Sequence, residues 1–293
     1  MSSFRISRFT VAIADISAFQ VAAKAENDKN NKMREVIVGA IINKKVPEEF
    51  YTTSPEWYKM REACHCYLNE IGVGPSEPTL KVAIKGGRRF NYDMLLTAAG
   101  KEYKIELKFN AKTVADCPQF SSPMNPSRFF TGDETFESYF YDNYLPSIAE
   151  HEGFALPDKA TYVKEVGTNK PPCMAEYQRL YHGKGEAAEK FNAHCKKVSE
   201  AAIKSYLEKY DLRCDLLTNY LINSQRDKIY MLWDPATEKF HVEYANLNDY
   251  VILIMSRKSH NSFYCSTMTG KRLKVMMRWK NGNGIAYPAF QIS

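Results

Sequence analysis

The sequence predicts a mixed α/β protein from three patterns. Residues 54–74, SPEWYKMREACHCYLNEIGVG, place Trp57, Met60, Ala63, Cys64, Tyr67, Leu68 and Ile71 at helical three-and-four spacing. Residues 88–109, RRFNYDMLLTAAGKEYKIELKF, alternate like two strands about a tight turn. After further helix formers, the stretch from Asp227 onward breaks into short alternating apolar runs. Helix, hairpin, helices and then strands is the order of an α/β or α+β protein.

Each element has a local reason. Residues 1–50 mix a strand or short helix with a polar break, ENDKNNK, and an apolar run, MREVIVGAII; they are expected to form an N-terminal extension. Ser54 suits the N-cap of the first long helix, Pro55 its first turn, and Gly72 and Gly74 its end. ETFESYFYDNYLPSIAE reads as a helix, GEAAEKFNAHCKKVSEAAIKSYLEKYDL as a longer one, and DLLTNYLIN as a continuation of the helical layer. DKIYMLWD, KFHVEYA, YVILIMS, SFYCSTM, RLKVMMRWK and IAYPAFQI read as strands. GTNKPPCM, residues 167–174, is the expected linker, so the predicted regions are 1–50, 51–166 and 175–293.

Composition narrows the function classes. The 293 residues are 44% hydrophobic and 25% charged, enough apolar mass for one large or two modest cores. No apolar run approaches the eighteen or so residues of a membrane helix, and Arg5, Arg8 and Asp15 interrupt the N-terminus. The expectation is a soluble intracellular protein, cytoplasmic or nuclear. The seven cysteines and six histidines fall into no zinc-site or paired-histidine spacing, and Cys64 and Cys66 around His65 lack a second pair. No G-x-S-x-G elbow, P-loop or dinucleotide fingerprint occurs.

The hairpin carries the chemistry. With Ala99 and Gly100 as its central turn residues, Asp93 faces Glu106, while Met94 meets Ile105, Tyr92 meets Leu107 and Phe90 meets Phe109. Asp93, Glu106 and Lys108 then emerge on the face opposite the apolar pairs. Carboxylates about 5 Å apart repel each other, and a hard divalent cation removes the repulsion. Lys108, one pleat further along, is placed to orient a water or to stabilise charge on phosphorus. The alternative is a plain exposed hairpin, because an Asp at loose spacing from Glu-x-Lys arises by chance and Glu102 with Lys104 repeats the pattern.

A helix followed by a strand with Asp93 and a strand with Glu106-Leu107-Lys108 resembles the PD-(D/E)xK, or restriction-endonuclease-like, nuclease superfamily. The resemblance covers about residues 55–120. It implies a restriction-endonuclease-like α/β core, a central mixed sheet flanked by helices, here followed by a helical and β extension. It implies Asp93 and Glu106 as ligands of Mg²⁺, which Mn²⁺ replaces in a substitute role, and Lys108 as the residue assisting the attacking water. Tyr92 stands where the family often has proline. Many members add a glutamate from the preceding helix: Glu62 has the family-like distance to Gly72, whereas Glu70 flanks the apolar face better, and both stay open. Polar residues of the next helix often approach the scissile phosphate, which makes Gln119 a candidate. The implied activity is a sequence-specific endodeoxyribonuclease of type II restriction character, acting on double-stranded DNA and, for a palindromic site, as a homodimer. A repair, recombination or RNA-cutting nuclease and a non-catalytic nucleic-acid-binding protein are the rivals.

Charge is unevenly placed. Tyr250 to Ser293 contains Arg257, Lys258, Lys271, Arg272, Lys274, Arg278 and Lys280 with no Asp or Glu, although the whole chain carries only +6. This end is expected to meet a polyanion, with Arg272, Lys274, Met276 and Arg278 alternating along one strand edge. The aromatic run Phe136, Tyr139, Phe140, Tyr141 and Tyr144 is spaced either for core packing or for base stacking.

Overall fold

The computed structural model describes residues 3–20, 27–85, 90–109, 111–114, 119–121, 129–166, 171–259, 261–278 and 289–292. In chain order its strands are β1 (Ser3–Ile6), β2 (Phe9–Ala12), β3 (Lys81–Ile84), β4 (Met94–Ala98), β5 (Lys101–Phe109), β6 (Gln119–Ser121), β7 (Lys228–Asp234), β8 (Lys239–Glu243), β9 (Ile252–Ser259), β10 (Ser262–Thr267), β11 (Arg272–Arg278) and β12 (Ala289–Ile292). Its α-helices are α1 (Asn27–Ile42), α2 (Glu48–Thr53), α3 (Pro55–Glu70), α4 (Phe136–Asn143), α5 (Leu145–Glu152), α6 (Lys159–Glu165), α7 (Ala175–Tyr181), α8 (Glu186–Lys209) and α9 (Cys214–Gln225).

The chain divides into two compact units, Met1–Cys117 with Asn223–Leu247, and Pro118–Ile222 with Asn248–Ser293. These divisions differ from the predicted regions 1–50, 51–166 and 175–293. The reason is long-range strand pairing: the first unit's sheet is completed only when β7 returns beside β5. The predicted linker holds no unit boundary; Pro172–Met174 is a 3₁₀ turn, and residues 167–170 lie outside the described residues.

In the first unit the sheet runs β3-β4-β5-β7-β8. It is mixed: β5 and β7 are parallel, and the other neighbours are antiparallel. Side chains alternate across it, so Met94, Leu96, Ile105, Leu107, Ile229, Met231 and Trp233 share a core with residues of α1 and α3. Helix α3 begins as its sequence predicts, with the Ser54 hydroxyl accepting the Trp57 N–H and Pro55 in the first turn. It buries Trp57, Met60, Ala63, Cys64, Tyr67 and Leu68.

The expected N-terminal extension is instead part of this core. Val11, Phe19, Val36, Ile37, Val38 and Ile41 are buried there, because the apolar run of α1 needs a partner and the sheet supplies one. Helix α1 comes so close to β3 that a Cβ on Gly39 would stand 3.3 Å from the Ile84 side chain. Asn43, just beyond α1, exchanges two 2.8 Å hydrogen bonds with the backbone of Val82, occupying the outer edge of β3.

The second unit contains α4 to α8, most of α9 and an antiparallel sheet ordered β6-β12-β11-β10-β9. The aromatic run folds as two helices rather than one: α4 ends at Asn143, and Pro146 sits in the first turn of α5. Phe136, Tyr139 and Phe140 are buried, the first two rings meeting Tyr206 and Phe140 meeting Phe136, the core alternative of the two readings. Among the described residues no helix is long and apolar enough to cross a membrane.

Candidate active site

The hairpin turn forms as expected, with positive φ at both Ala99 (48°) and Gly100 (74°), the type I′ geometry that matches strand twist. Met94 pairs with Ile105 and Ala98 with Lys101, the predicted register. That ladder stops at Met94. The expected Tyr92–Leu107 and Phe90–Phe109 pairs are not part of it: residues 91–93 bend, and Phe90 is exposed with its ring against Tyr92. The bend gives Asp93 a different set of bonds. Its N–H donates to the Ile105 carbonyl at 3.0 Å, its carbonyl accepts from Lys85 N–H at 2.8 Å, and its Oδ2 accepts from Leu107 N–H at 2.9 Å.

Asp93, Glu106 and Lys108 nevertheless come together. Lys108 Nζ lies 2.5 Å from Glu106 Oε1 and 3.9 Å from Asp93 Oδ2. Burial, followed by the charge of Glu106, pushes the Asp93 carboxyl up to about 7, against the opposing pull of Lys108 and the Leu107 N–H. Glu106 is largely buried, and its Oε2 is buried without a hydrogen-bond partner.

Three neighbours were not read from the sequence. Lys228 on β7 stands in the parallel pair beside Lys104, is 5% exposed, and reaches to 3.5 Å from Glu106 Oε2. Burial lowers its pKa. Tyr230, opposite Glu106 in the same register, is fully buried and donates its hydroxyl proton to Gln225. Glu35 of α1 contributes to the negative potential at Asp93; burial raises its own pKa, and it is paired with Lys32. Only the β5–β7 pairing brings Lys228 and Tyr230 in, and no local pattern encodes it. Glu35 had a faint signal, as the one acid in the apolar run 33–42.

The two helix glutamates considered from sequence do not fill that place. Glu62 is exposed and faces Arg61 at 3.8 Å and His65 at 3.9 Å; Glu70 is exposed at the end of α3. Neither contributes to the potential at Asp93, because α3 packs toward β8 while α1 packs toward β3. Gln119 also differs from expectation: it lies in a strand, paired with Ile292 in the second unit's sheet, not in a helix following the hairpin.

Among the described residues no three His, Cys, Asp or Glu side chains are grouped to hold a metal ion. The two carboxylates that Lys108 approaches are Asp93 and Glu106.

The basic end of the chain is a sheet face, not a uniform stripe. Arg272 and Lys274 alternate on β11 as predicted, opposite Ser266 and Tyr264 of β10. Arg257 instead donates to the carbonyls of Leu207 and Ser259, and Lys271 pairs with Asp249. Arg278 ends β11, with its side chain outside the described residues, as is all of Lys280. Comparison with known proteins found no matching family model, no matching curated protein and no matching solved structure.

Proposed function

We propose that the protein is a Mg²⁺-dependent nuclease of the PD-(D/E)xK, restriction-endonuclease-like class, hydrolysing phosphodiester bonds of DNA. The single observation that carries this reading is the convergence of Asp93, Glu106 and Lys108 at one end of the central strand pair. A bare structural sheet has little reason to bury two carboxylates together.

Asp93 and Glu106 are the residues that would hold the ion. Mg²⁺ is commonly bound by only one or two carboxylates, keeping water and substrate phosphate as its other ligands. The buried Oε2 of Glu106, which makes no hydrogen bond and has the Lys228 ammonium 3.5 Å away, fits that role. The ion, when bound, supplies charge neutralisation at the phosphate and acidifies water. Lys108, held by Glu106, presents a cation that orients the nucleophile or meets developing charge. The Leu107 N–H fixes one Asp93 oxygen, which orients the carboxylate before any ligand arrives.

Double-stranded DNA as substrate, type II restriction character and a homodimer follow from the resemblance and from palindrome symmetry. Supercoiled DNA, linear DNA and RNA incubated with Mg²⁺ or Mn²⁺ against EDTA test the reading, using the native chain beside Glu106→Ala and Lys108→Ala. Discrete metal-dependent DNA fragments, lost in both variants, are expected. Smearing removes the sequence-specific part, cleavage of RNA alone replaces the substrate, and no cleavage overturns the nuclease.

A further inference from the structure

Of the described cations at the basic end, two are taken up by the fold. Arg257 is held by two backbone carbonyls, and Lys271 by Asp249. Lys258, Arg272 and Lys274 are different: among the described residues none of them makes an ion pair, and all three surround one side chain, Tyr264. The Arg272 guanidinium lies over the Tyr264 ring, 3.7 Å from its centroid, and Lys258 Nζ is 4.3 Å from the same centroid while bonded to the hydroxyl. Lys274 is the direct cross-strand neighbour of Tyr264.

The backbone is arranged for this grouping. Ser262 pairs with Ser259 but Phe263 with Arg257, so Lys258 is the extra residue of a β-bulge. A bulge re-aims the side chain it inserts, and here it directs Lys258 to the tyrosine, on the face that also carries Arg272 and Lys274. Lys258 and Arg272 are exposed and Lys274 is half-buried. The hydrogen bond from Lys258, then the charges of Lys258, Arg272 and Lys274, hold the Tyr264 phenol below its ordinary range.

Three like charges about one phenol repel one another, and no acid follows Asp249 in the sequence to offset them. An anion removes that repulsion. Stacking on the ring also pre-organises the Arg272 fork for phosphate oxygens. The guanidinium over the tyrosine ring further offers the kind of surface on which bases pack, which a membrane headgroup does not use.

We propose that Lys258, Arg272 and Lys274, organised by Tyr264, are the site at which this chain grips the phosphodiester backbone of nucleic acid. The choice of nucleic acid rests on the nuclease reading; the grip itself does not require cleavage.

The test is fluorescence polarisation of the full chain in EDTA with labelled single-stranded and duplex oligonucleotides, and with phosphatidylserine vesicles as a separate arm. Lys258→Gln, Arg272→Gln and Lys274→Gln are compared with Lys271→Gln, each checked for native circular dichroism. Each of the first three should weaken oligonucleotide binding several-fold and reduce the log–log salt slope by about one, while Lys271→Gln leaves both near wild type. Tyr264→Phe, which keeps the ring beneath Arg272 but frees Lys258, should weaken binding less than Arg272→Gln. Equal losses in all four lysine and arginine variants would show a diffuse field and overturn the site, as would vesicle binding without oligonucleotide binding. If the wild type binds as stated but never cleaves, the nuclease reading alone fails. If it cleaves and the three variants bind unchanged, the grip alone fails.

Discussion

Lys228 Nζ stands 3.5 Å from Glu106 Oε2, across the parallel strands β7 and β5. Glu106 thus has a lysine at each oxygen, Lys108 on one and Lys228 on the other. Both side chains of the inner pair are about nine-tenths buried or more. Lys228→Met leaves a buried carboxylate with one cation where it had two, so a loss of about 1–3 kcal/mol is expected in urea unfolding. Lys104→Met, whose partner Asp227 lies 3.3 Å away with both side chains exposed, should change stability by less than about 1 kcal/mol. A Lys228→Met protein as stable as wild type would show that desolvation of the pair cancels its attraction.

Asp93 makes stability depend on pH in an unusual direction for an aspartate. Its carboxyl titrates near 7 in the folded chain and at about 3.9 when unfolded. Between these values the folded state holds a proton that the unfolded state has released. The contribution is complete below about pH 4 and is lost as pH rises through 7. Asp93→Asn lacks this dependence and still accepts from Leu107 N–H. Relative to wild type in EDTA, it should gain stability between pH 4 and 8 by on the order of a few kcal/mol. Parallel pH curves for the two proteins would contradict the raised carboxyl.

The β4–β5 turn is one substitution from a stronger sequence. Ala99 holds φ at +48°, which costs an alanine more than an asparagine. Ala99→Asn should raise stability by about 0.5 kcal/mol, read as a higher Tm. Gly100→Ala should lower it by about 1 kcal/mol, from backbone strain at φ +74° alone, since a Cβ there meets nothing within 4 Å.

Phe19 tests whether the N-terminal segment belongs to the core. It is 2% exposed, its ring meets Trp233 at 5.3 Å and Phe240 at 6.3 Å, and its carbonyl accepts the Trp233 Nε1–H. Phe19→Ala should cost about 3–5 kcal/mol in urea unfolding. A cost below about 1 kcal/mol would mean that residues 1–20 are an appendage after all.

The sequence by itself determined what neighbouring residues decide. The Ser54 cap, the buried stripe of α3, the Ala99–Gly100 turn and the register that places Glu106 and Lys108 beyond it are all short-range consequences of side-chain spacing. The tertiary structure decided what depends on distant segments meeting. It ended the ladder at Met94, so that Asp93 bonds through a bend and not a strand pair. It placed α1, not α3, on the side of Asp93, so the helix glutamate whose charge reaches Asp93 is Glu35 and not Glu62 or Glu70. It brought Lys228 beside Glu106 from more than a hundred residues away, and it separated the five expected phosphate contacts whose side chains are described into those the fold consumes and those gathered round Tyr264. The physical reason is common to all four: a periodic pattern fixes which face a side chain occupies, but burial of that face against a distant partner selects which partner it meets.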